Sequence, residues 1–249
     1  MLIAANWKMN LDKYSIMSYI KQLETCNFSN DIKLCIFPPV IYINFLYELI
    51  KNTPILIGGQ NCHYQPFGAF TGEVSAISLK EFDCKYVILG HSERRTYNKE
   101  TNQNIKKCAE SGIKAKLKPI ICVGENINIR ENGTAKNFIK KQIVESLPEK
   151  FDELTIAYEP IWSIGTGKIP EKAEINEMHK YIKEIVSSKT NKNINVIYGG
   201  SVNETNIKDI LSAGNVDGVL VGGSSLKIKE FLAIYSSAVM YLKYIKVKD

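Results

Sequence analysis

Three titratable side chains stand at the ends of short apolar runs in this 249-residue sequence, and together they could move a proton. Glu159 directly follows the apolar run 154–158. A carboxylate there costs free energy unless it pairs with a cation or has a chemical task. It is therefore read either as half of a structural ion pair or as a general base. The stretch after it, from Pro160 through Gly165 and Gly167 to Pro170, is long for a strand-to-helix connection, is bracketed by prolines and carries two glycines. That composition predicts a hinged lid beside Glu159. His91 follows the run 86–89 and precedes a segment that opens a helix. A helix N-terminus disfavours a charged imidazole, so His91 could act as a neutral hydrogen-bond donor. The alternative is a core histidine bonded to backbone. Lys8, at the end of the first run, could balance a phosphate or a developing negative charge; the alternative is a solvated surface cation.

Two glycine turns suggest the rest of the ligand. Gly199-Gly200-Ser201 and Gly222-Gly223-Ser224 follow the last two apolar runs. Each can present backbone N–H groups with no Cβ in the way, as phosphate sites do. Each could equally be a plain turn.

These residues need a scaffold that gathers strand ends. The apolar runs are 2–7, 33–37, 55–58, 86–89, 119–123, 154–158, 195–198 and 218–221. They are short, rich in Ile, Val and Leu, and lack polar alternation, as strands buried on both faces do. Between them lie helical stripes: Ile16, Ile20 and Leu23; Ile41, Phe45 and Leu49; Ile105, Ala109 and Ile113; Ile139, Ile143 and Leu147; Ile175, Met178, Ile182 and Ile185; Ile207, Ile210 and Leu211; Phe231, Ile234, Val239 and Leu242. Each stripe buries one helical face against a sheet. Strand–helix alternation predicts parallel strands, and eight units in this length predict an α/β fold, a TIM (β/α)8 barrel formed as a single domain over residues 1–249. An open doubly wound sheet is the alternative. In the barrel, the site lies at the C-terminal ends of the strands. There the sequence places Asn6 with Lys8, Gln60, His91, Glu125, Glu159 and the two glycine turns.

Composition narrows the partners. Apolar residues make up 45% and charged residues 23%, enough for a large core in a soluble chain. The net charge of +6 comes from scattered lysines such as Lys51, Lys80, Lys150 and Lys183, with no basic stripe interleaved with aromatics, so nucleic acid is not expected. No apolar run approaches the ~18 residues of a membrane span. The opening residues, from Met1 to Lys8, lack a charged leader, and the expected location is cytoplasmic. The six cysteines, Cys26, Cys35, Cys62, Cys84, Cys108 and Cys122, form no C-x-x-C pair and no metal-ligand spacing with His63, His91 or His179. They are expected to be reduced, mostly buried thiols.

The motifs have a recognisable order. They are Ala5-Asn6-Trp7-Lys8-Met9-Asn10, Gly68-Ala69-Phe70-Thr71-Gly72-Glu73, Leu89-Gly90-His91-Ser92-Glu93-Arg94-Arg95, Cys122-Val123-Gly124-Glu125, Ala157-Tyr158-Glu159-Pro160 with the segment that follows it, Tyr198-Gly199-Gly200-Ser201-Val202, and Asp217-Gly218-Val219-Leu220-Val221-Gly222-Gly223-Ser224-Ser225-Leu226. On these the whole chain resembles the triosephosphate isomerase family. The resemblance implies interconversion of dihydroxyacetone phosphate and D-glyceraldehyde 3-phosphate through an enediolate, without metal or cofactor, in glycolysis and gluconeogenesis. It implies that Glu159 is the base and that neutral His91 polarises the carbonyl, roles for which this family is itself the general example. It implies that Asn6 and Lys8 hold substrate, that Glu93 supports Lys8 and His91, that Gly165, Ser201, Gly222 and Gly223 bind phosphate, and that Cys122 packs nearby. It also implies a homodimer, in which the loop 65–73, from Gln65 to Glu73 with Phe70 and Thr71 at its tip, reaches the partner's Lys8 region. Lys116 stands where many members have glycine; in a left-handed conformation it would cost about 1 kcal/mol. The alternatives are a barrel acting on another phosphorylated metabolite and a relative that only binds its ligand.

Overall fold

The computed structural model describes residues 1–164 and 169–248. Parallel strands form from the apolar runs: β1 (Leu2–Asn6), β2 (Lys33–Phe37), β3 (Leu56–Gly59), β4 (Tyr86–Leu89), β5 (Lys118–Val123), β6 (Thr155–Tyr158), β7 (Asn195–Tyr198) and β8 (Gly218–Val221). They close into a barrel in chain order. The closing pair, β1 with β8, runs from Leu2↔Gly218 to Ala5↔Val221. Each strand departs from its apolar run by no more than one residue at either end.

Helices follow the strands: α1 (Lys13–Leu23), α2 (Ile43–Ile50), α3 (Ala76–Glu81), α4 (Ser92–Tyr97), α5 (Asn102–Lys114), α6 (Ile127–Glu131), α7 (Ala135–Ser146), α8 (Lys172–Thr190), α9 (Ile207–Leu211) and α10 (Ile228–Lys248). This wrapping explains the unbroken apolar character of the strands. In β1, Leu2 and Ala4 point into the barrel with Phe37, Ile88 and Ile120, whereas Ile3 and Ala5 face the helical layer. Alternate residues thus meet different apolar partners, and neither face needs polar side chains. The ring of Phe37 fits because its neighbour on β3 is Gly58; a Cβ there would lie 2.2 Å from Phe37 Cε1.

The stripes on α1, α8 and α9 are buried as their spacing predicts. On α5, Ile105 and Ala109 are buried and Ile113 is partly so; on α7, Ile139 and Ile143 are buried, and Leu147 is the residue after the helix. On α10, Phe231 and Ile234 are buried, while Val239 and Leu242 are only partly covered. One stripe is different. Ile41 is 74% exposed, and α2 buries Ile43, Leu46 and Ile50 instead of Ile41, Phe45 and Leu49. Pro39 caps a 3-10 turn over Val40–Tyr42, so the α-helical phase starts only at Ile43. Helices α3 and α6 carry no long stripe and start from side-chain caps, Ser75 accepting from Ser78 N at 3.1 Å and Asn126 from Ile129 N at 3.0 Å. All six cysteines are free thiols, with Cys35, Cys62, Cys84 and Cys122 buried. Among the described residues, no helix is long and apolar enough to cross a membrane.

Candidate active site

The strands all end at one rim, and the polar residues at their ends share it. Asn6, Lys8, His91, Glu159, Ser201, Gly222 and Gly223 line one cavity of about 310 Å³, with Ile164 and Leu220 as apolar wall. Glu93 is not part of the lining but reaches Lys8 from outside. Gly165 lies outside the described residues, as do residues 166–168 of the stretch expected to form the lid.

Lys8 is held in an unusual backbone state. Its φ is 52°, in the left-handed region, at a cost of roughly 1 kcal/mol for a residue with a Cβ. Three hydrogen bonds fix this turn. Lys8 N donates to Asn6 Oδ1 at 3.0 Å, and Gln60 Nε2 donates to the carbonyls of Lys8 at 2.7 Å and of Phe37 at 2.8 Å. The ammonium lies 2.6 Å from Glu93 Oε1. Both side chains are partly exposed, so solvent screens the pair, and it does more to aim the lysine than to stabilise the fold.

His91 is the N-cap of α4, and its Nδ1 accepts from Glu93 N at 3.3 Å. A neutral imidazole has one accepting and one donating nitrogen. With Nδ1 accepting, the proton is assigned to Nε2, which lies 3.0 Å from Glu159 Oε1. Glu93 Oε2 is 3.6 Å from Nδ1, beyond hydrogen-bond reach.

Glu159 is 2% exposed. Its second oxygen accepts from Ser92 N at 2.9 Å, in the first turn of α4. A buried carboxylate is tolerable on these terms, since both oxygens have donors. Its backbone is anchored by Glu159 N donating to the Val123 carbonyl at 2.8 Å. Two glycines make the room: a Cβ at Gly124 would lie 1.8 Å from the Glu159 carbonyl oxygen, and one at Gly199 would lie 3.0 Å from Glu159 Cγ. Burial first, and then the Glu159 charge, push the Cys122 thiol well above the ordinary range, so Cys122 is a protonated neighbour and no nucleophile.

The opposite wall is made of turns. Ser201 Oγ donates to the Ser163 carbonyl at 2.8 Å, and Asn206 Nδ2 donates to the Ser201 carbonyl at 3.0 Å. A 3-10 turn, Gly223–Leu226, starts at the end of β8. A Cβ at Gly223 would meet nothing within 4 Å, so the backbone there opens on the cavity. N–H groups at the start of such a turn favour an anion.

Sequence reasoning missed the supports behind this wall. Glu125 is fully buried and accepts from Tyr158 Oη at 2.9 Å, Trp162 Nε1 at 3.0 Å and Arg130 Nη1 at 3.3 Å. Arg130 lies 5.0 Å over the Trp162 ring and also bonds Glu174 in the first turn of α8. Through Arg130 the cluster joins Glu125 and Trp162 to the start of α8. Its sequence signal is the single carboxylate Glu125 at the end of β5. Among the described residues, no group of three or more His, Cys, Asp or Glu side chains could hold a metal ion. The cavity combines a buried carboxylate, a neutral N–H donor, a cation and exposed backbone amides. That set can move a proton on carbon beside a carbonyl in a small phosphorylated molecule.

Known proteins match the chain along nearly its whole length. A family model described as triosephosphate isomerase matches residues 1–238. The chain is 41% identical to triosephosphate isomerase of Dictyoglomus turgidum over 245 residues, covering 95% of this chain and 98% of the relative. It is 40% identical to that of Amoebophilus asiaticus over 248 residues, with coverages of 95% and 98%. The crystal structure of triosephosphate isomerase from Bartonella henselae superposes with a TM-score of 0.86 at 33% identity, covering 95% of this chain and 98% of that one. Matched along nearly its whole length by the family model and by these relatives, the chain belongs to the triosephosphate isomerase family.

Proposed function

We propose that this barrel interconverts dihydroxyacetone phosphate and D-glyceraldehyde 3-phosphate through an enediolate, with Glu159 as the base. One observation carries the reading: the Glu159 carboxylate and His91 Nε2 face each other at 3.0 Å on the wall of the cavity that Lys8 and the glycine turns also line. The phosphate of the substrate sits against Ser201, Gly222 and Gly223, and Gly165 of the lid completes that grip. The carbonyl oxygen then takes the hydrogen bond that His91 now gives to Glu159. Freed from His91, the carboxylate removes a proton from the carbon beside the carbonyl and returns it to the neighbouring carbon. His91 moves the matching proton between the two oxygens, and Asn6 and Lys8 offset the enediolate charge. Glu93 holds Lys8 in place. Every step uses side chains of this chain, so no metal or cofactor is needed. The reaction belongs to glycolysis and gluconeogenesis, and the free thiols fit a cytoplasmic enzyme of one domain.

The working unit is a homodimer. The loop 65–73 exposes Phe67 at 75% and Phe70 at 40%, and Met9 and Tyr14, near Lys8 in the chain, are 92% and 85% exposed. Exposed large apolar side chains such as these support a contact surface there. The loop is preformed by Phe70 N to Gly68 O and Glu73 N to Phe70 O, both at 3.0 Å, with the Phe70 ring 4.3 Å from that of His63. Phe70 and Thr71 at its tip insert beside the Lys8 region of a second copy.

The test is a coupled assay on purified protein in the presence of a chelator. Turnover of both triose phosphates is expected. Folded protein, verified by circular dichroism, that turns over neither would end this reading.

A further inference from the structure

Arg95 stands where the pairing of β4 with β5 stops. The ladder runs from Tyr86↔Lys118 to Leu89↔Ile121, so the next rung would set Gly90 against Cys122. The strand ends there because Gly90 turns away with φ 67°. Arg95, from α4, occupies the place of that rung. Its Nε donates to the Gly90 carbonyl at 2.8 Å, and its Nη2 donates to the Cys122 carbonyl at 3.0 Å. The third donor, Nη1, lies 2.6 Å from Asn102 Oδ1, and Asn102 in turn donates to Glu145 at 2.8 Å. A guanidinium is a rigid plane, so fixing one edge fixes the others. Glycine at position 90 is part of the device: a Cβ there would lie 2.5 Å from Ile105 Cδ1 and 3.1 Å from Arg95 Nη2.

Both carbonyls belong to the segments that carry the reacting groups. Gly90 immediately precedes His91. Cys122 immediately precedes Val123, whose carbonyl accepts from Glu159 N at 2.8 Å. We infer that Arg95 is a positioning residue for the proton transfer: it splices β4 to β5 one rung beyond their ladder and so fixes His91 relative to Glu159. The inference rests on the reading of His91 and Glu159 as the reacting pair. Burial draws the Arg95 pKa down, while the nearby Glu159 and Glu100 carboxylates act the other way; the guanidinium keeps its charge. A lysine could supply that charge, but not two hydrogen bonds in one plane.

R95A and R95K, made in the full chain, separate the two contributions. Substrate turnover and inhibition by inorganic phosphate are measured beside thermal unfolding. In R95A, kcat is expected to fall about 100-fold, the cost of displacing reacting groups by about 1 Å. KM and the phosphate inhibition constant should stay within about threefold, since phosphate binding is uniform between ground and transition states. R95K should remain at least about tenfold below wild type in kcat, because it lacks the fork. The inference falls if folded R95A keeps kcat within about threefold of wild type, or if KM and phosphate inhibition weaken in step with kcat, as a general loosening of the site would cause. Should R95A not fold, R95K decides on the same two readouts. Wild-type turnover and Glu159→Gln test the underlying pair separately. Normal Arg95 variants beside an inactive E159Q would remove only the role given to Arg95.

Discussion

His91 Nε2 and Glu159 Oε1 stand 3.0 Å apart across the end of β4 and the end of β6, and the other oxygen of Glu159 is held by Ser92 N. The Glu159 carboxylate is thus oriented by the same short segment that supplies the His91 N–H donor. In Glu159→Gln the side chain keeps its volume but cannot take up a proton. The expected result is a fall in kcat of about 1000-fold or more, with inhibition by inorganic phosphate changed by less than about threefold. Steady-state kinetics in both directions check this. A kcat near wild type would remove Glu159 from the role of base.

The loop 65–73 makes its own prediction. Phe70→Asp puts a charge into the apolar contact proposed for this loop, where an unpaired carboxylate is costly. Sedimentation velocity should show wild type as a dimer and F70D shifted to monomer, with activity falling together with the dimer fraction. A wild-type monomer at full activity would refute the role assigned to this loop.

Much of this architecture could be read from the residues, for a definite reason. A strand covered on both sides is apolar at every position, so Ile3, which faces helices, and Ala4, which faces the barrel interior, look alike in sequence and mark β1 together. The ends of such strands meet at one rim, which brings Lys8, His91 and Glu159 into one cavity from distant parts of the chain. Phase within a helix is harder to read. Ile41 has the right spacing with Phe45 but lies in a turn set by Pro39, and the buried face starts two residues later at Ile43. The supporting contacts were not legible at all. Gly124 looks like any turn glycine until β5 and β6 pair and bring the Glu159 carbonyl to where its Cβ would be. Likewise Arg130 meets Glu125, Trp162 and Glu174 only once three elements have packed.

A buried histidine away from the cavity sets a limit on acid stability. His179, on α8, is fully buried beside the Tyr158 and Tyr198 rings, at 5.9 and 6.4 Å. Burial, with a smaller contribution from Lys183, lowers its pKa from 6.5 to about 4, while the Asn215 carbonyl opposes the shift. Between those values the unfolded chain binds a proton that the native state does not. Stability therefore rises with pH across this window and is lost as pH falls from 6.5 toward 4, by about 3 kcal/mol from this residue. Urea unfolding of wild type and H179Q at several pH values isolates the effect, since the carboxylates are common to both. H179Q should be less stable near neutrality but show a flatter slope between pH 4.5 and 6.5. Parallel slopes would assign the acid sensitivity to other groups.

Lys116 carries strain with no visible return. It follows α5 with φ 63°, where Lys116 N bonds the Ile113 carbonyl and Leu117 N bonds the Gly112 carbonyl, both at 2.9 Å. This is the left-handed helix stop that glycine normally provides. The lysine side chain is exposed, so nothing it touches repays the roughly 1 kcal/mol that a Cβ costs in this conformation. Lys116→Gly removes that strain, while the greater freedom of glycine in the unfolded chain takes back part of the gain. The net expectation is a stabilisation of roughly 0.5 kcal/mol and unchanged kcat, since Lys116 lies at the opposite end of β5 from the cavity. Lys116→Ala is the control: it deletes the lysine chain but keeps the Cβ, so it should gain nothing. Thermal unfolding that ranks K116A level with K116G would show that the backbone conformation is not the source of the cost.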